Sequence, residues 1–175
     1  MADILQADHP TSLITGAASG IGKAIAQHAY KEGHNLILVD IDEINLIETS
    51  DQFKTTNKIE IIADLSSYED ISKLKKTVDS QCNVVNYLFN NAGIFLEGRS
   101  WKLSSDAWSK IININLLATI RMTSAFLPSM IESNQKCHVV NTASMAGVII
   151  GGYLSPYTTT CLLYTSDAAD EQQRV

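Results

Sequence analysis

The feature that most constrains the fold is an alternation of short apolar runs with segments of helical periodicity. The runs are "TSLITG", "NLILVD", "IEIIAD", "VVNYLFNNAG" and "KCHVVNTAS", and the stretches between them space apolar residues three or four positions apart. Such an alternation is typical of a parallel sheet with helices on both faces, because right-handed crossovers place the helices there. The sequence therefore predicts an α/β fold with a doubly wound parallel sheet of about five strands.

Composition narrows the classes of function. The chain of 175 residues is long enough for one domain, and its net charge of -6 leaves no cationic surplus for phosphate backbones or anionic lipids. No apolar run reaches the roughly 18 residues that a membrane-spanning helix requires, and the N-terminus lacks the regions of a signal peptide. We expect a cytoplasmic protein with neither nucleic acid nor a membrane as partner. Its three cysteines and four histidines show no metal-binding spacing, so no metal site is predicted.

A glycine-rich segment, "TGAASGIG", lies between the first predicted strand and the first predicted helix. Gly16 can form the tight turn, Gly20 can let the backbone approach a pyrophosphate, and Gly22 can let the helix pack closely. The amides and dipole of the helix would then face the phosphates. Glycines at turns are common, but this position predicts a dinucleotide site formed by Thr15, Gly16, Ser19, Gly20, Ile21 and Gly22.

An acidic residue, Asp40, ends the second predicted strand, 18 residues after Gly22. This is close to the offset of about 20 residues expected for the acid that binds an adenosine ribose. A carboxylate there would repel a 2′-phosphate, and neither Ser19 nor Ile41 is basic, so NAD is predicted in preference to NADP. The alternative is that Asp40 caps the following helix, a role that Asp42 could fill instead.

The spacing TGxxxGxG, together with "NNAG" at Asn90 to Gly93, resembles the short-chain dehydrogenase/reductase family. Further similarities are "ADL" with Asp64, "NINL" with Asn115, and "VVNTASMAG" with Ser144, which Tyr157 follows after 13 residues. The resemblance covers about residues 11 to 160. It implies a Rossmann fold and an NAD(P)-dependent oxidoreductase that transfers hydride between the cofactor and a secondary alcohol or ketone. It also implies that the parent protein forms homo-oligomers.

The resemblance further implies roles for individual residues. Tyr157 would be the base, Ser144 would orient the substrate oxygen, and Asn115 would interrupt the helix or hold a water in a proton relay. The alternative for Asn115 is an amide that faces solvent. The cofactor would also contact Asp64, Leu65, Asn91, Ala92 and Gly93. The aromatic residues Trp101, Trp108 and Tyr153 either shape a substrate pocket or belong to the core.

The C-terminal segment departs from the family pattern. In "YTTTC", Cys161 occupies the position of the family's lysine, and a thiol cannot favour a phenolate as an ammonium does. Residues 161 to 170 can be encoded by DNA that resembles a transposase adapter used in preparing sequencing libraries. We expect residues 1–160 to be an incomplete dinucleotide-binding domain with little turnover, and residues 161–175 to be a non-native tail. The alternatives are an evolved loss of activity and a non-catalytic dinucleotide-binding module that acts as a sensor or scaffold.

Overall fold

The structure, a computed structural model, describes residue 5, residues 8–149 and residues 152–162. Five parallel strands form one sheet in the order β3-β2-β1-β4-β5. This arrangement confirms the predicted doubly wound α/β fold. The strands are β1 (Thr11–Thr15), β2 (Asn35–Asp40), β3 (Lys58–Ile62), β4 (Tyr87–Asn90) and β5 (His138–Asn141).

Helices connect the strands as the periodicity predicted. They are α1 (Gly20–Lys31), α2 (Glu43–Ser50), α3 (Tyr68–Asp79), α4 (Ser105–Ile111) and α5 (Ala118–Glu132), and residues 155–162 are also helical. The helical pattern in "EINLIETSDQF" extends to Phe53, but α2 ends at Ser50. The chain leaves the helix after Ser50, and a turn buries Phe53 against the ring of Tyr30.

The two faces of the sheet carry separate apolar cores because neighbouring strand residues point in opposite directions. Leu13 packs with α3 and α5 on one face, whereas Ile14 packs with α1 and α2 on the other. Every residue of β1 is buried, but the edge strands β3 and β5 are partly exposed. The near-continuous apolar runs in the sequence are therefore the central strands of a sheet covered on both faces.

The helix Ser105–Glu132, which includes α4 and α5, is long and apolar enough, by length and composition, to cross a membrane. The expectation that no segment reaches this length was therefore wrong, because it considered uninterrupted apolar runs and this helix contains scattered polar residues. A single such helix is weak evidence, since core helices pass the same test. Here Met122, Phe126 and Met130 pack in the core against the sheet.

The order of the strands determines where a ligand can bind. From β1 the sheet extends to β2 and β3 on one side, and to β4 and β5 on the other. The loops after β1 and β4 consequently diverge, which leaves a crevice at the carboxyl ends of these strands. In open α/β sheets this switch point is the usual ligand site.

The core on the α5 face can be tested with Phe126, the largest fully buried side chain, whose exposed fraction is 1%. Replacement by alanine removes the whole buried ring and should lower the free energy of unfolding by about 3–5 kcal/mol, measured by urea denaturation. Ile131 lies on the same helix but is 69% exposed, so Ile131→Ala should have little effect. Equal effects of the two substitutions would contradict the assigned core.

Candidate active site

A cleft of about 610 Å³ opens at the carboxyl ends of the strands. It brings together all but two of the residues that were predicted to bind the cofactor or to act in catalysis, from segments that lie far apart in the chain. The two that do not line it are Thr15 and Gly22. Those that line it are Gly16, Ser19, Gly20, Ile21, Asp40, Asp64, Leu65, Asn91, Ala92, Gly93, Asn115, Ser144 and Tyr157.

The turn between β1 and α1 requires its glycines for different reasons. Gly16 has a φ of +67°, and a Cβ there would lie 3.0 Å from the Cα of Ala92. A Cβ on Gly22 would lie 2.0 Å from the carbonyl oxygen of Gly16, so only glycine lets α1 start this close to the turn. Gly20, with a φ of +51°, would place a Cβ in open space. A ligand can therefore approach the backbone at Gly20.

Thr15 lies beneath this turn rather than in the cleft. Its hydroxyl donates to the carbonyl of Phe89 at 3.2 Å and accepts from the N–H groups of Asn91 and Ala92 at 2.9 and 3.0 Å. The side-chain amide of Asn91 in turn donates to the backbone carbonyl of Thr15 at 3.2 Å. The buried threonine thus ties the loop after β4 to the end of β1.

The N-terminus of α1 differs from those of α2, α3 and α4. Ser19 occupies the N-cap position without a side-chain hydrogen bond, and the first turn contains no acidic residue. In contrast, the side chains of Asp42, Ser67 and Ser104 cap α2, α3 and α4, and each of those helices has an acid in its first turn. The first amides of α1 are therefore open to an anion.

Asp40 and Asp42 have separate roles. The carboxylate of Asp40 accepts hydrogen bonds from the N–H groups of Ala18 and Asp42, each at 3.0 Å. Asp42 caps α2, and the side chain and backbone N–H of Asn45 donate to it and lower its pKa. Asp40 is thus not the helix cap, and its carboxylate lines the cleft.

The loop after β3 forms another wall of the cleft. The carboxylate of Asp64 accepts from the N–H of Ser66 at 2.9 Å, and the N–H of Asp64 donates to Asp70 at 3.2 Å. Arg121 of α5 donates to the carbonyl of Ser66 at 3.1 Å. These bonds hold Asp64 and Leu65 at the cleft.

Asn115 lies in a π-helical segment, Ile112–Leu117, that interrupts the helix between α4 and α5. Its side chain accepts from the N–H of Ile94 at 2.8 Å and donates to the carbonyl of the same residue at 2.9 Å. It also lies 3.4 Å from the hydroxyl of Thr160. The alternative of a solvent-facing amide was therefore wrong: the side chain fixes the loop after β4 and connects it to helix 155–162.

Ser144 and Tyr157 both line the cleft. Ser144 precedes the short turn Met145–Gly147, and its hydroxyl accepts from the N–H of Ala146 at 3.2 Å. The ring of Tyr157 meets the ring of Phe95 edge to face, with centroids 5.2 Å apart. The hydroxyl-bearing Ser144 and the phenol-bearing Tyr157, which come from different segments, thus share one cleft.

Cys161 also lines this space, one helical turn after Tyr157. Burial raises the pKa of its thiol, and hydrogen bonds with Thr160 and Tyr157 only partly oppose that rise. The thiol therefore stays protonated at neutral pH. It supplies no positive charge that could favour a phenolate at Tyr157.

Sequence reasoning missed several residues of the cleft. Phe95 has no motif of its own, and its contact with Tyr157 depends on a loop. Thr142 donates to the side-chain oxygen of Asn91 at 3.1 Å and so joins the loops after β4 and β5.

Trp101 and Tyr153 line neither the cleft nor the core, since they are 76% and 59% exposed.

Comparison with known proteins places this geometry in a family. The sequence model described as short chain dehydrogenase matches residues 10–162. A CLA biosynthesis dehydrogenase/reductase from Lactiplantibacillus plantarum is 33% identical over 138 residues, which are 78% of this chain and 48% of that protein. A diacetyl reductase [(S)-acetoin forming] from Staphylococcus epidermidis is 30% identical over 86% of this chain and 59% of its own length. The chain thus spans about half to three-fifths of these relatives.

Solved structures share the fold closely. A short-chain dehydrogenase/reductase from Burkholderia phymatum in complex with NAD has a TM-score of 0.89 at 28% identity, over 100% of this chain and 62% of that one. An alcohol dehydrogenase from Thermococcus sibiricus, complexed with 5-hydroxy-NADP, has a TM-score of 0.82 at 25% identity, over 89% of this chain and 66% of that one. Together with the sequence match over residues 10–162, these similarities confirm that the chain belongs to the short-chain dehydrogenase family.

Proposed function

We propose that this chain carries the dinucleotide-binding part of an NAD(P)-dependent oxidoreductase that interconverts a secondary alcohol and a ketone. The observation that carries the proposal is the convergence of an uncapped helix N-terminus, Asp40, Ser144 and Tyr157 on one cleft. The similar proteins named as dehydrogenases and reductases, one of them in complex with NAD, support it.

The residues of the cleft fit a dinucleotide. The amides at the start of α1 and the open space above Gly20 would hold the pyrophosphate. Asp40 would accept hydrogen bonds from the adenosine ribose, and Asp64 with Leu65 would contact the adenine. When bound, the nicotinamide supplies the hydride chemistry.

The carboxylate of Asp40 favours NAD over NADP in this proposal. A 2′-phosphate at the ribose would lie beside this negative charge, and the adjacent Ile41 offers no cation. One similar structure contains NAD and another contains 5-hydroxy-NADP, so the proposed preference for NAD rests on this chain's own residues.

Alcohol oxidation must remove a proton from oxygen while the carbon loses hydride, so a base must stand beside the substrate. Tyr157 would take this proton, and the hydroxyl of Ser144 would orient the substrate oxygen. Asn115 would act by positioning, because its side chain is held by the backbone of Ile94. A free phenol has a pKa of about 10 and is nearly all protonated at neutral pH, and each unit by which such a pKa is lowered stabilises the phenolate by about 1.4 kcal/mol.

A second candidate function is a dinucleotide-binding module without catalysis. The neutral thiol of Cys161, where the family pattern has a lysine, favours it for the chain as it stands. We propose that the dinucleotide-binding domain extends to residue 160 and that residues 161–175 are a non-native tail. Sequencing the source DNA across codon 160 tests this boundary.

The proposal includes a small alcohol or ketone as substrate, assembly of the parent as a homo-oligomer, and a cytoplasmic location. Exposed apolar residues on α5, Ile120 and Ile131, support assembly. Cys137 and Cys161 are free thiols, as expected in a reducing compartment.

Gly22→Ala tests the glycine turn. The new methyl group would lie 2.0 Å from the Gly16 carbonyl and 2.7 Å from the Asn91 amide, so the turn must shift. We expect affinity for NAD, measured by calorimetry, to fall by about tenfold or more, as a shift of this kind costs about 1–3 kcal/mol. Gly152→Ala is the control, because its methyl group meets nothing within 4 Å. An unchanged affinity of Gly22→Ala would contradict the proposed site.

Asp40→Asn tests the choice of cofactor. Removing the charge while keeping the shape should raise the ratio of NADP affinity to NAD affinity by about tenfold, because repulsion of the 2′-phosphate disappears. The ratio is measured by fluorescence titration with both reduced cofactors. Asp42→Asn removes a neighbouring charge that caps α2 and should leave the ratio unchanged. A ratio that does not respond to Asp40→Asn would argue against ribose binding by this carboxylate.

Cys161→Lys tests the link between Tyr157 and its neighbour. An ammonium one turn away should lower the pKa of the phenol, which appears as one tyrosine that ionises earlier in a titration of ultraviolet absorbance. The early transition should vanish when Tyr157→Phe is added, and Cys161→Ala should not produce it. If Cys161→Lys and Cys161→Ala titrate alike, position 161 does not control the phenol.

A further inference from the structure

Two loops beside the cleft meet around Arg99. The first follows Phe95 and contains Arg99 and the turn Ser100–Lys102, and the second contains Tyr153 and leads to Tyr157. The N–H of Gly98 donates to the carbonyl of Tyr153 at 2.8 Å. Phe95 and Tyr157 line the cleft and their rings are in contact, so the two loops that meet around Arg99 both lead away from the cleft at this point.

The backbone around Arg99 adopts unusual conformations. Tyr153 has a φ of +66°, a value that is uncommon for residues other than glycine. Gly98 has a φ of +152°, and a Cβ there would lie 2.9 Å from a methyl carbon of Leu103. Conformations of this kind persist only where surrounding contacts enforce them, and they cluster at functional sites.

The turn that carries Arg99 is also anchored at other points. The indole N–H of Trp108 donates to the carbonyl of Ser100 at 3.3 Å, and the N–H of Lys102 donates to the carbonyl of Arg99 at 2.8 Å. The backbone of Arg99 is therefore held in place before any ligand arrives. Such preorganisation lowers the entropic cost of binding.

Two aromatic rings flank the Arg99 side chain. The central carbon of its guanidinium lies 5.9 Å from the ring centroid of Trp101 and 5.8 Å from that of Tyr153. A guanidinium that contacts aromatic rings can still donate hydrogen bonds from its N–H edge. Within residues 5, 8–149 and 152–162, this guanidinium forms neither an ion pair nor a hydrogen bond.

The geometry points to Arg99 as a specificity-determining residue that binds a carboxylate on the substrate. The inference rests on the proposed function and deepens it: the substrates would be keto acids or hydroxy acids whose carbonyl or hydroxyl reaches Ser144 and Tyr157. A planar guanidinium edge matches a carboxylate with two parallel hydrogen bonds. The competing explanation is a latch that only joins the two loops.

The test compares ligands that differ in charge alone. Levulinate and its neutral primary amide, levulinamide, together with a homologous pair lengthened by several methylenes, are titrated against the full chain by saturation-transfer NMR, with and without NADH. At least one carboxylate should bind about tenfold more tightly than its amide, as expected for a partly exposed charge-assisted pair. Arg99→Gln should abolish this preference, and Arg99→Lys should retain part of it, because lysine keeps the charge but loses the fork.

Lys102→Gln is the matched control, since it removes an exposed positive charge from the same turn without disturbing the ring contacts. It should keep the preference for the carboxylate. Equal binding of carboxylate and amide by the unmodified chain would overturn the inference. A preference for the carboxylate that survives Arg99→Gln would also overturn it. If Arg99→Gln keeps this preference but lowers the melting temperature, Arg99 is only a latch between the two loops. Failure to bind NADH would instead count against the proposed function. In that case, loss of the carboxylate preference in Arg99→Gln would still support carboxylate binding by Arg99.

Discussion

The close approach of Gly22 to the carbonyl of Gly16 is the constraint on which the site depends. With no side chain at Gly22, α1 begins directly over the end of β1, and its first amides face the crevice between the diverging loops. The same approach places the turn against Asn91 and Ala92 of the loop after β4. One backbone contact therefore sets both the anion-binding end of the cleft and the position of its opposite wall.

Hydrogen bonds then fix the loops that lie next to the proposed reactive groups. Thr15 fixes Asn91 and Ala92, Asn91 accepts from Thr142, and Asn115 holds Ile94 by both of its backbone groups. Most of these polar side chains bind protein rather than ligand. Much of the sequence motif is thus a scaffold that keeps Ser144 and Tyr157 at the cleft proposed to bind a dinucleotide.

The sequence was informative wherever local chemistry determines structure. Near-continuous apolar runs identified the buried strands β1 and β2, and the glycine spacing located the turn before α1. The pattern could not show that Thr15 points away from the cleft, or that Asn115 binds the loop after β4, because both depend on contacts between distant segments. The contact of Phe95 with Tyr157 was unpredictable for the same reason. The long apolar helix was predicted, but that it is long enough to cross a membrane was not, because its apolar residues form a stripe rather than a run.

The most direct test of the account is to map where NAD binds. Backbone amide NMR shifts, recorded as NAD is added to the full chain, report which segment the cofactor touches. The account predicts the largest shifts at Ser19 to Gly22 and at Asp40, with little change along the apolar groove between α1 and β4 that contains His28, Tyr87 and Phe89. Shifts confined to that groove, or no shifts at saturating NAD, would contradict it.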